Sequence, residues 1–176
     1  KLNLCFVGRL EKEKGFTNLA KAFLNNSDLS WIGRIHFVGE GSQRIKYEEK
    51  LCSIFSNILF HGAINREELN KVYIDSHLII LPSKSEGFPK VLTEAASFGC
   101  IPVIPDIYSI SMYINERKKN GVILSGISWQ EINKTLDRIK NKQRKLHLIS
   151  KKAIEFAKNS TYENNNKNIK KYILQF

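Results

Sequence analysis

The sequence predicts an α/β domain: a Rossmann-like, doubly wound parallel sheet of about six strands with helices on both faces and a C-terminal helical tail. Three observations predict it. Six short apolar runs recur along the 176 residues without in/out alternation, as strands buried on both faces read. Amphipathic helical stripes lie between them. Capping signals fall where those helices should begin, and the connections are too short for antiparallel meanders.

The elements follow in order. The first strand, Leu2–Val7, leads through residues 8–15 to a stripe of Phe16, Leu19, Ala20, Phe23 and Leu24 at the i, i+3, i+4, i+7 spacing of a helix. The second strand, residues 35–38, precedes a weaker helix over residues 45–55. The third, residues 58–60, is followed by Asn65 and Glu68 at capping-box spacing and a helix through residues 69–73. The fourth strand, residues 78–81, runs into Pro89, whose fixed φ suits the first residue of a helix. Val91, Leu92, Ala95 and Phe98 form that helix's stripe, and Gly99 stops it because a left-handed residue costs glycine nothing. Ile101–Ile104 and residues 122–124 complete the strands. Beyond Leu124 only helices are predicted: residues 129–140 opened by Ser128 and Glu131, residues 144–158, and residues 162–174 opened by Ser160 and Glu163. No repeat, linker or second domain is visible, so residues 1–176 read as one domain.

Lys and Arg number 28 against 17 Asp and Glu, a net charge of +11 that calls for an anionic partner. Much of the excess lies late, in residues 117–119, 140–145, 151–152 and 167–171, and reads as solvated helix faces. A nucleic-acid binder is disfavoured, since no basic sheet face carries interleaved aromatics and no recognition helix stands out. A Rossmann dehydrogenase is disfavoured because no G-x-G-x-x-G follows a predicted strand. Cys5, Cys52 and Cys100 are odd in number and widely spaced, which excludes a disulfide framework or zinc spacing; they read as buried, inert thiols in a reducing compartment. No apolar run reaches the roughly 18–20 residues that span a bilayer, and no signal-peptide layout opens the chain. The expected location is the cytoplasm.

In open α/β sheets ligands bind beyond the carboxyl ends of the strands. Four loops there are unusual. Residues 8–15 carry Arg9 and Lys14 between two glycines, Gly8 and Gly15; residues 39–42 read Gly-Glu-Gly-Ser; His61-Gly62 follows the third strand; residues 82–89 read Pro-Ser-Lys-Ser-Glu-Gly-Phe-Pro. Amides at the start of the helix after Pro89 would form an anion site. Glu86 lies just before that helix and Glu94 about one and a half turns inside it. Carboxylates so near an anion site accept hydrogen bonds from hydroxyls, which sugars and ribose supply. Taken singly, Glu94 reads equally well as a solvated helix carboxylate, and Arg9 or Lys14 reads better as a surface cation. Together at successive strand ends, they read as a nucleotide-sugar site.

At these residues the chain resembles the C-terminal, donor-binding domain of the retaining GT-B glycosyltransferases of family 4, also called glycosyltransferase group 1. The resemblance rests on Phe6-Val7-Gly8-Arg9-Leu10 with Lys14-Gly15, Val38-Gly39-Glu40-Gly41, Phe60-His61-Gly62 and Leu81-Pro82-Ser83. Its strongest part is residues 86–95, where Glu86 and Glu94 are separated by seven residues, followed by Gly99 and Ile101-Pro102-Val103-Ile104. The matching residues run in order from Leu2 to Leu124.

The resemblance implies a role for each position. Arg9 and Lys14, beside Gly8, would hold the donor diphosphate and stabilise it as it departs. Glu86 would contact the donor sugar near its reacting centre, with the backbone of Gly87, Phe88 and Pro89 beside the sugar hydroxyls. The amides of Leu92 and Thr93 would help bind phosphate, Glu94 would hold the ribose hydroxyls, and His61, Gly62 and Ile64 would flank the base. Catalysis would then fall to Glu86, Arg9 and Lys14. The implied activity is hexosyl transfer with retention from a UDP-, GDP- or ADP-linked sugar, without metal or cofactor. The implied acceptor is a glycan or lipid-linked glycan of bacterial surface polysaccharide or lipopolysaccharide synthesis, with peripheral contact at the inner face of the cell membrane as an added expectation. The acceptor domain of such enzymes is N-terminal and is not in this chain, so the chain reads as half an enzyme, expected to bind donor but transfer little. The alternatives are a nucleotide-sugar-binding module without transfer and an epimerase relative. One departure stands out: residues 106–111 replace the glycine pair and glutamate that such proteins often carry there.

Overall fold

A computed structural model of the chain describes residues 1–26, 28–87 and 89–160. Six parallel strands, β1 (Leu2–Val7), β2 (Ile32–Val38), β3 (Ile58–Gly62), β4 (Leu78–Ile80), β5 (Ile101–Ile104) and β6 (Val122–Ile123), form one sheet in the order β3-β2-β1-β4-β5-β6. The predicted doubly wound sheet is therefore present. Strand order reverses between β1 and β4. With right-handed crossovers, connections running in opposite directions put their helices on opposite faces. Thus α1 (Phe16–Leu24) and α2 (Arg44–Ile54) cover one face, and α3 (Arg66–Asp75) and α4 (Lys90–Ser97) the other. Of the tail, α6 (Trp129–Asn141) packs on α1, and α7 (Leu146–Asn159) packs on α4.

The unbroken apolar runs of β1 and β5 are explained by this double cover: Leu4 to Val7 and all of β5 are buried. On the α1 side Phe37 of β2 and Phe16 of α1 share the centre of a ring cluster, the Phe37 ring 4.8 to 6.3 Å from those of Phe6, Phe16, Phe23 and Phe60.

Several expected boundaries shift. β2 begins at Ile32 and β3 continues to Gly62, because each of these residues still pairs with a neighbouring strand, with Leu2 of β1 and Val38 of β2, across a register shift. β4 and β6 stop before Leu81 and Leu124. Pro89 is the N-cap of α4, with extended ψ, and Lys90 is its first helical residue. A short helix, α5 (Tyr108–Ser111), stands where sequence reading placed only a loop, and a single 3-10 turn, Gln143–Lys145, precedes α7. Gly99 has the expected left-handed φ of +91°, its amide donating to the Ala96 carbonyl. Cys5 and Cys100 are buried, but Cys52 is exposed: it lies on the outer face of α2, which the sequence could not orient. The helix expected over residues 162–174 and its capping pair lie outside the described residues.

Asn65 and Glu68 form the complete capping box, each side chain taking the other's backbone amide. Ser128 accepts from the Glu131 amide, but its hydroxyl claims the Glu131 carboxylate, so that box is half formed. Asn65→Ala is expected to lower stability by about 1 kcal/mol, read from urea denaturation, while the conservative Asn65→Ser retains most of it.

Candidate functional site

Strand order reverses between β1 and β4, and open α/β sheets form their ligand crevice at the carboxyl ends of the strands at such a point. The loops that follow those two strands meet there. Gly15, at φ +76°, sits so tightly on the β4 loop that a Cβ would lie 1.9 Å from the Pro82 carbonyl oxygen. The Lys84 amide donates to the Glu13 carbonyl at 3.1 Å, and the Ser83 hydroxyl oxygen lies 3.4 Å from the Lys14 carbonyl oxygen. The β1 loop is also tied to the β2 loop. Leu10 donates to the Glu40 carbonyl, Gln43 donates to that of Leu10, and the amide and hydroxyl of Ser42 both bond the Glu11 carboxylate. Those Ser42 bonds hold Glu11 below the usual carboxylate range, with the charge of Arg9 adding to the effect.

Lys14 and Glu86, 72 residues apart, are brought into contact in this crevice. The Lys14 ammonium lies 2.7 Å from Oε1 of Glu86, and the Ser83 hydroxyl donates to the same oxygen at 2.7 Å. Glu86 is nearly buried, its side chain 11% exposed against 29% for Lys14. The Ser109 hydroxyl at the second residue of α5 donates to the Glu86 carbonyl at 2.7 Å and so pins the loop from a third side. A near-buried carboxylate persists as an ion only with such partners.

Glu94, on α4, is paired with Arg66, the first residue of α3, at 2.8 Å. That bond favours the charged guanidinium. Arg9 is exposed with no ion pair among the described residues. The amides of Lys90 and Val91 stand at the start of α4, while the Leu92 amide donates to the Pro89 carbonyl at 3.0 Å. The amides left free to meet an anion at the start of α4 are therefore those of Lys90 and Val91, two residues ahead of Leu92 and Thr93, a consequence of Pro89 capping the helix instead of beginning it. Phe88 lies outside the described residues; Gly87 is exposed, with open space where a Cβ would be. His61 and Gly62 end β3 and Ile64 follows in the loop, half-buried; Gly62, at φ +69°, passes against the Glu40–Arg44 ion pair.

The crevice thus combines a cation–carboxylate pair, two hydroxyls, helix-start amides and an exposed arginine. Such a set can hold a diphosphate and hydrogen-bond a polyol. Sequence reading missed Ser83, Ser109 and Arg66 as supports. Ser83 stood inside the quoted motif, but nothing local ties Arg66 to Glu94 across 28 positions. Among the described residues no cluster of three His, Cys, Asp or Glu is placed to hold a metal ion, and no helix is long and apolar enough to cross a membrane. An open groove of about 680 Å³, floored by Ile139, Leu146 and Ile149, lies beside the start of β6, away from these loops.

Comparison with known proteins agrees with this architecture. An uncharacterized 41.2 kDa protein of the cps region of Klebsiella pneumoniae is 24% identical over 137 residues, 78% of this chain and 36% of the relative. The chain spans about a third of the length of the relatives it matches first. Among solved structures, the C-terminal domain of a glycosyl transferase group 1 family protein from Francisella tularensis superposes with a TM-score of 0.77 at 20% identity, covering 91% of this chain and 86% of that one. HepE from Anabaena, in complex with UDP, superposes with a TM-score of 0.79 at 17% identity over 100% of this chain and 49% of that one. The family model of the glycosyl transferases group 1 matches residues 1–156, nearly the whole described chain, and the chain belongs to that family.

Proposed function

We propose that the chain is the donor-binding half of a retaining glycosyltransferase that transfers a hexose from a nucleoside-diphosphate sugar. The observation that carries this reading is the Lys14–Glu86 pair at the β1/β4 switch point, next to the start of α4. The UDP bound by the Anabaena neighbour of the same fold supports it.

On this reading the donor diphosphate lies against Lys14, Arg9 and the Lys90 and Val91 amides, and Glu86 faces the sugar. The bond from the anomeric carbon to the diphosphate oxygen breaks, and its electron pair leaves with the diphosphate. The acceptor hydroxyl bonds the same carbon and passes its proton to the departing diphosphate oxygen. Preorganised cations stabilise the leaving charge without a metal or cofactor. Glu94, steadied by Arg66, takes the ribose hydroxyls. The acceptor, a glycan or lipid-linked glycan of surface polysaccharide synthesis, is bound by a second, N-terminal domain, and the enzyme works in the cytoplasm, at the inner face of the membrane. The cps-region relative supports the polysaccharide assignment. Without that second domain the chain binds donor and transfers little.

The test is titration of the chain with UDP, GDP and ADP while following amide shifts. Perturbation of residues 8–15 and 86–94 by at least one of them at millimolar concentration is expected; silence with all three refutes the site. Glu94→Ala should weaken the nucleotide that binds best about tenfold, near ~1.4 kcal/mol, with unchanged melting behaviour. Unaltered affinity would remove Glu94 from the ribose.

A further inference from the structure

On the sheet face covered by α3, four side chains form a line that ends at the carboxyl edge. Arg34 of β2 donates to Oδ1 of Asp75, the last residue of α3. Oδ2 of Asp75 lies 2.8 Å from Nε2 of His36, also on β2. His36 is 5% exposed, and its Nδ1 lies 2.8 Å from Nε2 of His61, the two rings stacked at 5.1 Å. Nδ1 of His61 has no protein partner among the described residues. Burial opposes charge on Asp75, but the bonds from His36 and Arg34 win and hold it below its ordinary range.

The line has only one consistent assignment of protons while both imidazoles are neutral. A carboxylate can only accept, so Nε2 of His36 carries its proton toward Asp75. Nδ1 of His36 is then an acceptor, and the contact to His61 must use a proton on Nε2 of His61. A neutral imidazole has a single N–H, which leaves Nδ1 of His61 a bare acceptor. Burial, followed by the neighbouring His36, pushes the His61 imidazole below its ordinary range and so favours the neutral form, against a smaller opposite pull from Glu68.

We propose that Asp75 and His36 are positioning residues that fix the tautomer of His61, so that its free Nδ1 accepts a hydrogen bond from an N–H of the donor's nucleobase. The proposal rests on the nucleotide-site reading above, in which His61 flanks the base, and adds to it the class of group recognised there. Around the imidazoles the charged or titratable groups are Arg34 on β2, Asp75 and Glu68 on α3, and the thiol of Cys5, the register partner of His36 on β1. One more proton in the line leaves the outward nitrogen of His61 carrying an N–H, so that it becomes a donor. Acidification therefore reverses what the site offers the base.

Asp75→Asn tests this without a change of pH. Arg34 still donates to the oxygen it holds, so the new amide oxygen stays on Arg34 and the amide nitrogen turns to His36. That nitrogen donates to Nε2 of His36, whose Nδ1 must carry the proton and donate to His61. The outward nitrogen of His61 then becomes an N–H. Ring-nitrogen NMR of the unaltered chain at about pH 8, above the imidazole range, should show an unprotonated Nδ1 on His61. The variant should show it protonated, and should bind the preferred nucleoside diphosphate about tenfold more weakly. A protonated Nδ1 in the unaltered chain overturns the proposal whether or not the variant folds. Nucleotide binding within twofold in the two proteins overturns it while leaving the nucleotide site standing. Binding of UDP, GDP and ADP to neither protein refutes the site itself, and the base contact with it.

Discussion

Replacing Gly15 with alanine is expected to lower stability by about 3 kcal/mol or more and to separate the loops that build the crevice. Two effects add. A left-handed backbone costs an alanine roughly 1–2 kcal/mol, and Gly15 has φ +76°. The added methyl would also meet the Pro82 carbonyl oxygen at 1.9 Å, its carbon at 2.5 Å and the Pro82 ring at 2.8 Å. The first two are backbone atoms and cannot swing aside as a flexible side chain can. The β1 and β4 loops must move apart, at an overpacking cost of about 1–3 kcal/mol. That movement also stretches the Lys84–Glu13 and Lys14–Glu86 bonds. Gly87→Ala is the control, because nothing lies within 4 Å of its Cβ position. Urea midpoints of the two variants decide the matter: equal stability would mean that the loops are not locked together at Gly15.

Lys14→Met is expected to weaken nucleoside diphosphate binding by roughly two orders of magnitude, the upper end of what a charge-assisted hydrogen bond contributes. The change also strands Glu86. Its Oε1 accepts from Lys14 and Ser83, and with Lys14 gone only the Ser83 hydroxyl remains against a nearly buried carboxylate. The diphosphate would then face an uncompensated negative charge at the point where it needs a positive one. Methionine keeps the length and apolar stem of lysine, so the lost packing is small. Calorimetric titration of both proteins with the same nucleotide measures the loss. The double variant Lys14→Met with Glu86→Gln should recover part of the affinity, because it removes the stranded charge along with its partner. No recovery would argue against direct coupling between Lys14 and Glu86.

Much of the fold was legible from local pattern. The runs in β1 and β5 lacked alternation because helices bury both sides of those strands, and the Asn65–Glu68 box announced the start of α3. Such signals involve neighbours a few residues apart, whose spacing the sequence displays directly. The misplacements were non-local. Ile32 and Gly62 join strands because Leu2 and Val38 pair with them across a register shift, and α5 forms where the chain must close under the Glu86 loop, its Ser109 hydroxyl on the Glu86 carbonyl. Pro89 satisfies the preference of proline for helix starts equally well as a cap, and only the backbone ψ decides between the two.

The candidate site divides in the same way. Glycines, cations and carboxylates at strand ends can be read one loop at a time, and so could Gly8, Arg9, Lys14, His61, Glu86 and Glu94. Their partners could not. Lys14 meets Glu86 only because β1 and β4 are neighbours at the centre of the sheet, and Glu94 meets Arg66 only because α3 and α4 share a face. The sequence by itself determined the alternation of strand and helix and the residue types delivered to one edge. The tertiary structure alone decided the order β3-β2-β1-β4-β5-β6, the reversal that opens the crevice between β1 and β4, and the line from Arg34 to His61. Hydrophobic period and capping are properties of adjacent residues. Strand order, ion pairing and the placement of a proton depend on which distant segments the packed chain brings within about 3 Å of one another.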